Sequence, residues 1–196
     1  MEFNKLLKRN IENLSSINEK FIDHSDNRKN FSIVLKEIIN SYKKGGRLYV
    51  AGNGGSASDS QHFVAELVCK LSKDRISIPA EALTTDTSVI TSIANDYSFD
   101  QIFARQLSGK LRPHDVFLGI STSGNSPNII NAFKEAKNKK NKSILLTGSN
   151  GGESLELCDI SIIVPSKITA RIQEIHILFL HTLCEMIENE LVFNTK

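Results

Sequence analysis

Cysteine is scarce in this chain. Cys69, Cys158 and Cys184 lie far apart with no Cys-x-x-Cys spacing, which argues against a disulfide framework or a zinc ribbon and suits reduced thiols in a cytosol. No excess of either charge exists: 24 basic and 22 acidic residues leave a formal charge of +2, so nucleic acid and anionic membranes are not favoured partners. No run approaches the ~18 apolar residues of a membrane span. The opening Met1-Glu2-Phe3-Asn4-Lys5 lacks the apolar stretch of a signal peptide, and a soluble cytoplasmic protein is expected. No Gly-x-x-x-x-Gly-Lys-Ser/Thr motif occurs, so a nucleotide-hydrolysing P-loop is a poor reading. Repeats, low-complexity tracts and linkers are also lacking, which leaves residues 1–196 as one domain.

With 40% hydrophobic residues the chain can bury a full core. From Phe3 to Tyr42, Leu6, Leu7, Ile11, Leu14, Ile17 and Phe21, then Phe31, Val34, Leu35 and Ile38, recur at helical spacing. Two helices with a polar break at Asp23 to Asn30 are expected, forming an N-terminal helical extension over 1–44. Over 45–196, β-rich runs alternate with helical ones. Strands are expected at 47–51, 79–83, 115–120, 142–147 and 159–164. Helices are expected at 56–71, 88–94, 100–107, 127–137 and 169–191, with a short one at 153–157. The alternation predicts an α/β fold, a five-stranded parallel sheet with helices on both faces and ligand sites at the carboxyl ends of the strands. The last helix, apolar at Ile175, Leu178, Leu180, Leu183, Met186 and Ile187, must be covered, which inclines the reading towards an oligomer.

Two Gly/Ser loops follow strands. Gly119-Ile120-Ser121-Thr122-Ser123-Gly124-Asn125-Ser126 runs into a helix at Pro127, and its hydroxyls, backbone N–H groups and helix start suit a single phosphate monoester. An ordinary turn capping a helix is the plainer alternative. Gly52-Asn53-Gly54-Gly55-Ser56-Ala57 matches Gly-x-Gly-x-x-Ala of dinucleotide folds, but the next strand ends in Thr84-Thr85 rather than in an acid. One loop for a phosphate and the other for a polyhydroxy body is the better reading.

His62 and Glu66, four apart, share a helix face and suit a zinc-like metal, or else form an ordinary ion pair. Gln173 and His181 lie eight apart, about 12 Å along an unbent helix, so one ion cannot comfortably take both from it. Either the helix starts irregularly or a second subunit supplies one of them. His176 reads as a solvated or core-edge histidine. Asn95-Asp96 reads as a loop at a helix end, able to contact the hydroxyls of an open-chain sugar.

Together, Ala51 to Ser56, His62-x-x-x-Glu66, Ala94-Asn95-Asp96, the 119–126 loop and Arg171-Ile172-Gln173-Glu174-Ile175-His176 with His181 resemble the sugar isomerase (SIS) domain, and more narrowly the sedoheptulose 7-phosphate (phosphoheptose) isomerases. The resemblance spans about residues 45–190. It implies a flavodoxin-like fold, a homotetramer with sites between subunits, and one Zn2+ per subunit held by His62, Glu66, Gln173 and His181. It also implies a phosphate held by Ser121, Thr122, Ser123 and Ser126, and conversion of sedoheptulose 7-phosphate to D-glycero-D-manno-heptose 7-phosphate towards lipopolysaccharide or capsule. Moving a carbonyl between adjacent carbons needs a base and an acid around an ene-diolate; Glu66 is read as the base and His181 as the acid. Asn53, Gly54, Gly55, Ser56, Asn95, Asp96 and Gln173 are expected to contact substrate. A related branch, the tetramer that binds the replication initiator DnaA, lacks the Glu and His but shares Ala170-Arg171-Ile172-Gln173, where the isomerases often have Asp at the first position. Phosphosugar-sensing regulators form a third class, and the expected elements leave no stretch for their DNA-binding module.

Overall fold

Among the residues described by the computed structural model, 2–193, five apolar runs pair into one all-parallel sheet in the order β2-β1-β3-β4-β5. The strands are β1 (Leu48–Gly52), β2 (Ala80–Ala82), β3 (Val116–Ser121), β4 (Lys142–Gly148) and β5 (Ile160–Val164). Side chains alternate across the pleat and seed two cores. Leu48, Val50, Leu118, Ile120, Ile144 and Leu146 face one layer, whereas Tyr49, Ala51, Phe117 and Leu145 face the other.

The first layer is built by α1 (Phe3–Asp23), α2 (Ser25–Lys43), α3 (Gly55–Val68) and α7 (Thr169–Glu188), through residues such as Val34, Phe63, Leu67 and Leu180. The second is built by α4 (Thr87–Asp96), α5 (Ile102–Lys110) and α6 (Pro127–Asn138), through Ile93, Phe103, Ile129 and Phe133. Gly119 lets the second layer close on the sheet, because a Cβ there would stand 2.7 Å from the Phe133 ring. The chain leaves β1 for β2 on one side and returns to β3 on the other. That reversal sets a topological switch point between β1 and β3, at whose carboxyl ends open α/β sheets bind ligands.

Three expected boundaries are corrected. The break between the first two helices is one residue, His24, rather than Asp23 to Asn30. The polar residues read as a break instead dock α2 on the open edge of β5. The buried Asn27 amide donates to the Ile163 carbonyl at 2.8 Å and accepts from the Ile163 N–H at 3.0 Å, and Asn30 donates to the Ser161 carbonyl. Asn95 and Asp96 are the last two residues of α4, not a loop. The last helix stops at Glu188 and continues as a π turn over Asn189–Phe193.

Candidate active site

Pairing of β1 with β3 sets Gly52 opposite Ile120, so both Gly/Ser loops leave the sheet side by side. A reciprocal amide pair fastens them: Asn53 Nδ2 donates to Asn128 Oδ1 at 2.8 Å, and Asn128 Nδ2 donates to Asn53 Oδ1 at 2.9 Å. Asn128, buried in the first turn of α6, was not singled out from the sequence, where it is one asparagine among several. In the first loop Gly54 takes φ +54°, a backbone region that favours glycine, and turns the chain into α3. Gly54 and Gly55 are exposed and Asn53 is half-buried, but Ser56 is buried beneath the loop, its carbonyl accepting from the Ser60 hydroxyl at 2.7 Å.

In the second loop Ser126 precedes α6 without capping it through its side chain. Its hydroxyl turns instead to the Ser121 hydroxyl, 3.2 Å away, and the helix start remains open to an anion. Ser126 thus begins α6 through its backbone carbonyl, which accepts from Ile129 and Ile130 N–H, and not through its side chain. Backbone N–H groups of Gly124 and Asn125 donate to the hydroxyls of Ser121 and Ser123, each at 3.2 Å, and Thr122 and Ser123 reach the surface. Gly124, at φ +67°, abuts the Gly151 carbonyl, and the Asn125 side chain accepts from Glu153 N–H at 2.9 Å, so the loop after β4 supports this one.

On α3, His62 and Glu66 stand one turn apart, and α7 brings His181 across to them. His62 Nε2 lies 3.0 Å and His181 Nε2 3.2 Å from the same Glu66 oxygen, and the two imidazole nitrogens are 3.3 Å apart. The second Glu66 oxygen is buried without a hydrogen-bond partner. Three atoms able to offer lone pairs thus converge within 4.8 Å, and imidazole nitrogen with carboxylate oxygen is a donor set that suits Zn2+. One turn before His62, burial pushes the Asp59 carboxyl up from its ordinary range, opposed by the nearby His62.

α7 is regular from Thr169 to Glu188, so Gln173 lies about 12 Å along the axis from His181. The Gln173 amide packs against Gly55 at the start of α3, about two turns before His62 on that helix. His176 is fully buried rather than solvated or at the core edge: its Nε2 pairs with the Thr147 carbonyl at 3.1 Å, and burial pulls its pKa down to about 4.

The SIS domain family model matches residues 11–148. Over 95% of this chain and 96% of its own length, a phosphoheptose isomerase of Sulfurimonas denitrificans is 46% identical. The chain belongs to the phosphoheptose isomerase family. A second phosphoheptose isomerase, from Aliarcobacter butzleri, is 51% identical over 80% of this chain and 82% of its own. The solved phosphoheptose isomerase structure from Francisella tularensis superposes with a TM-score of 0.92 at 34% identity, covering 96% of this chain and all of that one.

For this phosphoheptose isomerase family member the SIS match ends at Gly148, ahead of α7. His181 is joined to the matched region by geometry, through its approach to Glu66. Asn95 and Asp96 are exposed and bonded to each other at 2.8 Å, and among the described residues no hydrogen bond ties them to the cluster. Among the described helices none is long and apolar enough to cross a membrane.

Proposed function

We propose that the protein is a cytoplasmic aldose–ketose isomerase that converts sedoheptulose 7-phosphate to D-glycero-D-manno-heptose 7-phosphate, the first step towards nucleotide-activated heptose for lipopolysaccharide or capsule. The observation that carries this reading is the closure of His62, Glu66 and His181 on one another, on helices that flank the two loops of the switch point. The 121–126 loop takes the 7-phosphate through the hydroxyls of Ser121, Thr122, Ser123 and Ser126 and the start of α6. The Asn53–Ser56 loop faces the sugar through Asn53 and the exposed backbone of Gly54 and Gly55.

Glu66 removes the proton beside the carbonyl and returns it to the neighbouring carbon, while His181 serves the oxygens as the ene-diolate forms and collapses. With one oxygen facing both imidazoles and the other enclosed, the Glu66 carboxylate is fixed for that transfer. His62, Glu66 and His181 would hold Zn2+, which supplies polarisation of the substrate oxygens. Gln173, remote from the cluster in its own chain, joins such a site from a neighbouring subunit. A homotetramer fits the exposed Phe3, Leu7 and Ile11 on α1 and the apolar groove of about 520 Å3 between α1, α2 and α7, which includes Phe21, Leu178 and Met186.

Purified, zinc-supplemented protein is incubated with sedoheptulose 7-phosphate and followed by NMR with and without chelator. Chelator-sensitive appearance of the aldoheptose supports the whole reading. No conversion by folded, metal-replete oligomer overturns it and turns attention to binding of the replication initiator.

A further inference from the structure

α3 ends without the usual devices. Its last turn holds no basic residue, its C-cap is Cys69 rather than glycine, and the final carbonyls need donors. They find them nine residues downstream. Arg75 Nη2 donates to the Glu66 carbonyl at 2.6 Å, and Nη1 donates to the carbonyls of Leu67 at 2.8 Å, Cys69 at 3.2 Å and Ile76 at 2.9 Å. The guanidinium is wholly buried, and its Nε donates to Glu188 Oε1 at 2.8 Å. Glu188, itself 2% exposed, also accepts from the Leu71 N–H at 2.9 Å.

Glu188 stands seven residues after His181, two turns along the same face of α7. A closed ring results. It runs from the Glu66 side chain to His181, down α7 to Glu188, across to Arg75, and back to the Glu66 backbone. Buried Cys184 lies inside it, one turn from each end of the α7 segment. A guanidinium is suited to this place because its fork serves several carbonyls and one carboxylate at once, which an ammonium cannot.

We infer that Arg75 and Glu188 are positioning residues for the site: they lock the last turn of α3, which carries Glu66, to the end of α7, and so set the distance from Glu66 and His62 to His181. This inference rests on the reading of that cluster as the catalytic, metal-holding site.

Holoprotein carrying Arg75→Lys, and separately the pair Arg75→Met with Glu188→Leu, is compared with wild type; removing both charges together avoids leaving one buried and unpaired. Zinc affinity by competition with a chelator is expected to fall about tenfold or more, as for groups that orient metal ligands. Turnover is expected to fall about tenfold while KM stays within about twofold, because substrate loops are untouched. Glu188→Gln, which keeps shape and acceptor, should retain most of both while lowering the melting temperature, because the buried guanidinium loses its counter-charge. A lower melting temperature with wild-type zinc affinity and turnover number would reduce the pair to ordinary structural residues and overturn the inference. If the double variant does not fold, Arg75→Lys decides by the same measures. In metal-free protein, the imidazole resonances of His62 and His181 should shift in Arg75→Lys; unchanged resonances overturn the lock. Wild type that binds no zinc and converts no substrate overturns the reading of the site instead, and the resonances still judge the lock.

Discussion

His176 gives a pH test of how α7 is held. Its imidazole is buried, pairs through Nε2 with the Thr147 carbonyl at the end of β4, and has its pKa pulled from 6.5 to about 4 by burial, with the hydrogen bond opposing. In the unfolded chain the ring takes a proton below about pH 6.5, whereas in the fold it stays neutral until about pH 4. The unfolded state therefore binds more protons across that interval, and the fold loses stability as pH falls through it. The full interval corresponds to about 3 kcal/mol, fully present above pH 6.5, of which about 2 kcal/mol is gone by pH 5. Urea unfolding of chelated protein at pH 7.5, 6 and 5 measures it against His176→Gln, whose amide can still donate to Thr147. At pH 7.5 the variant should be less stable by about 1–2 kcal/mol. The gap should close or reverse by pH 5, because only the wild type has the titrating ring. Every other side chain is common to the two proteins and cancels. A gap that stays constant within about 0.5 kcal/mol would show that His176 is not held neutral by the fold and would refute the reasoning.

Glu66→Gln preserves volume and removes the base, so turnover should fall by about 10²–10⁴ with circular dichroism and oligomer size unchanged; near-normal rates would take Glu66 out of the mechanism. Asn128→Ala breaks both hydrogen bonds between the two loops and should cost about 1–3 kcal/mol in thermal unfolding, together with a raised KM. Wild-type values for both would mean that the loops are held by other contacts. Gly124→Ala forces a methyl against the Gly151 carbonyl at φ +67°, so phosphate affinity read by isothermal calorimetry should drop more than tenfold, and unaltered affinity would place the phosphate elsewhere.

Strands and helices were legible because apolar residues repeat at two or at three to four residues, and every strand lies within one residue of its expected ends or inside them. The first helical break was misread for a definite reason: Asn27 and Asn30 are polar because they bond to a strand edge, a partner that no local pattern reveals. His62 and Glu66 were legible as a pair by helical spacing. His181 was joined to them through the family resemblance, whereas its approach depends on the packing of α7 on α3, over a separation of 119 residues. Asn128 escaped notice because it bonds to a distant loop, and Arg75 because its fork joins carbonyls at the end of α3 to a carboxylate far along the chain; neither stands in a motif. His176 was read as solvated or at the core edge because histidine is polar. Its one hydrogen bond to β4 is what makes full burial tolerable.

The Asn27 amide mimics a peptide unit on β5, occupying the donor and acceptor that an added strand would use. The N-terminal helices thus act as a guard against aggregation as well as a packing layer. An open parallel edge is a template for another chain, and this one is blunted by two asparagine side chains instead of by lysine, proline or a bulge. Proteolytic loss of the extension would bare that edge together with the apolar face of α7 on which Phe21 and Phe31 pack, so nicked protein is expected to disappear into insoluble material.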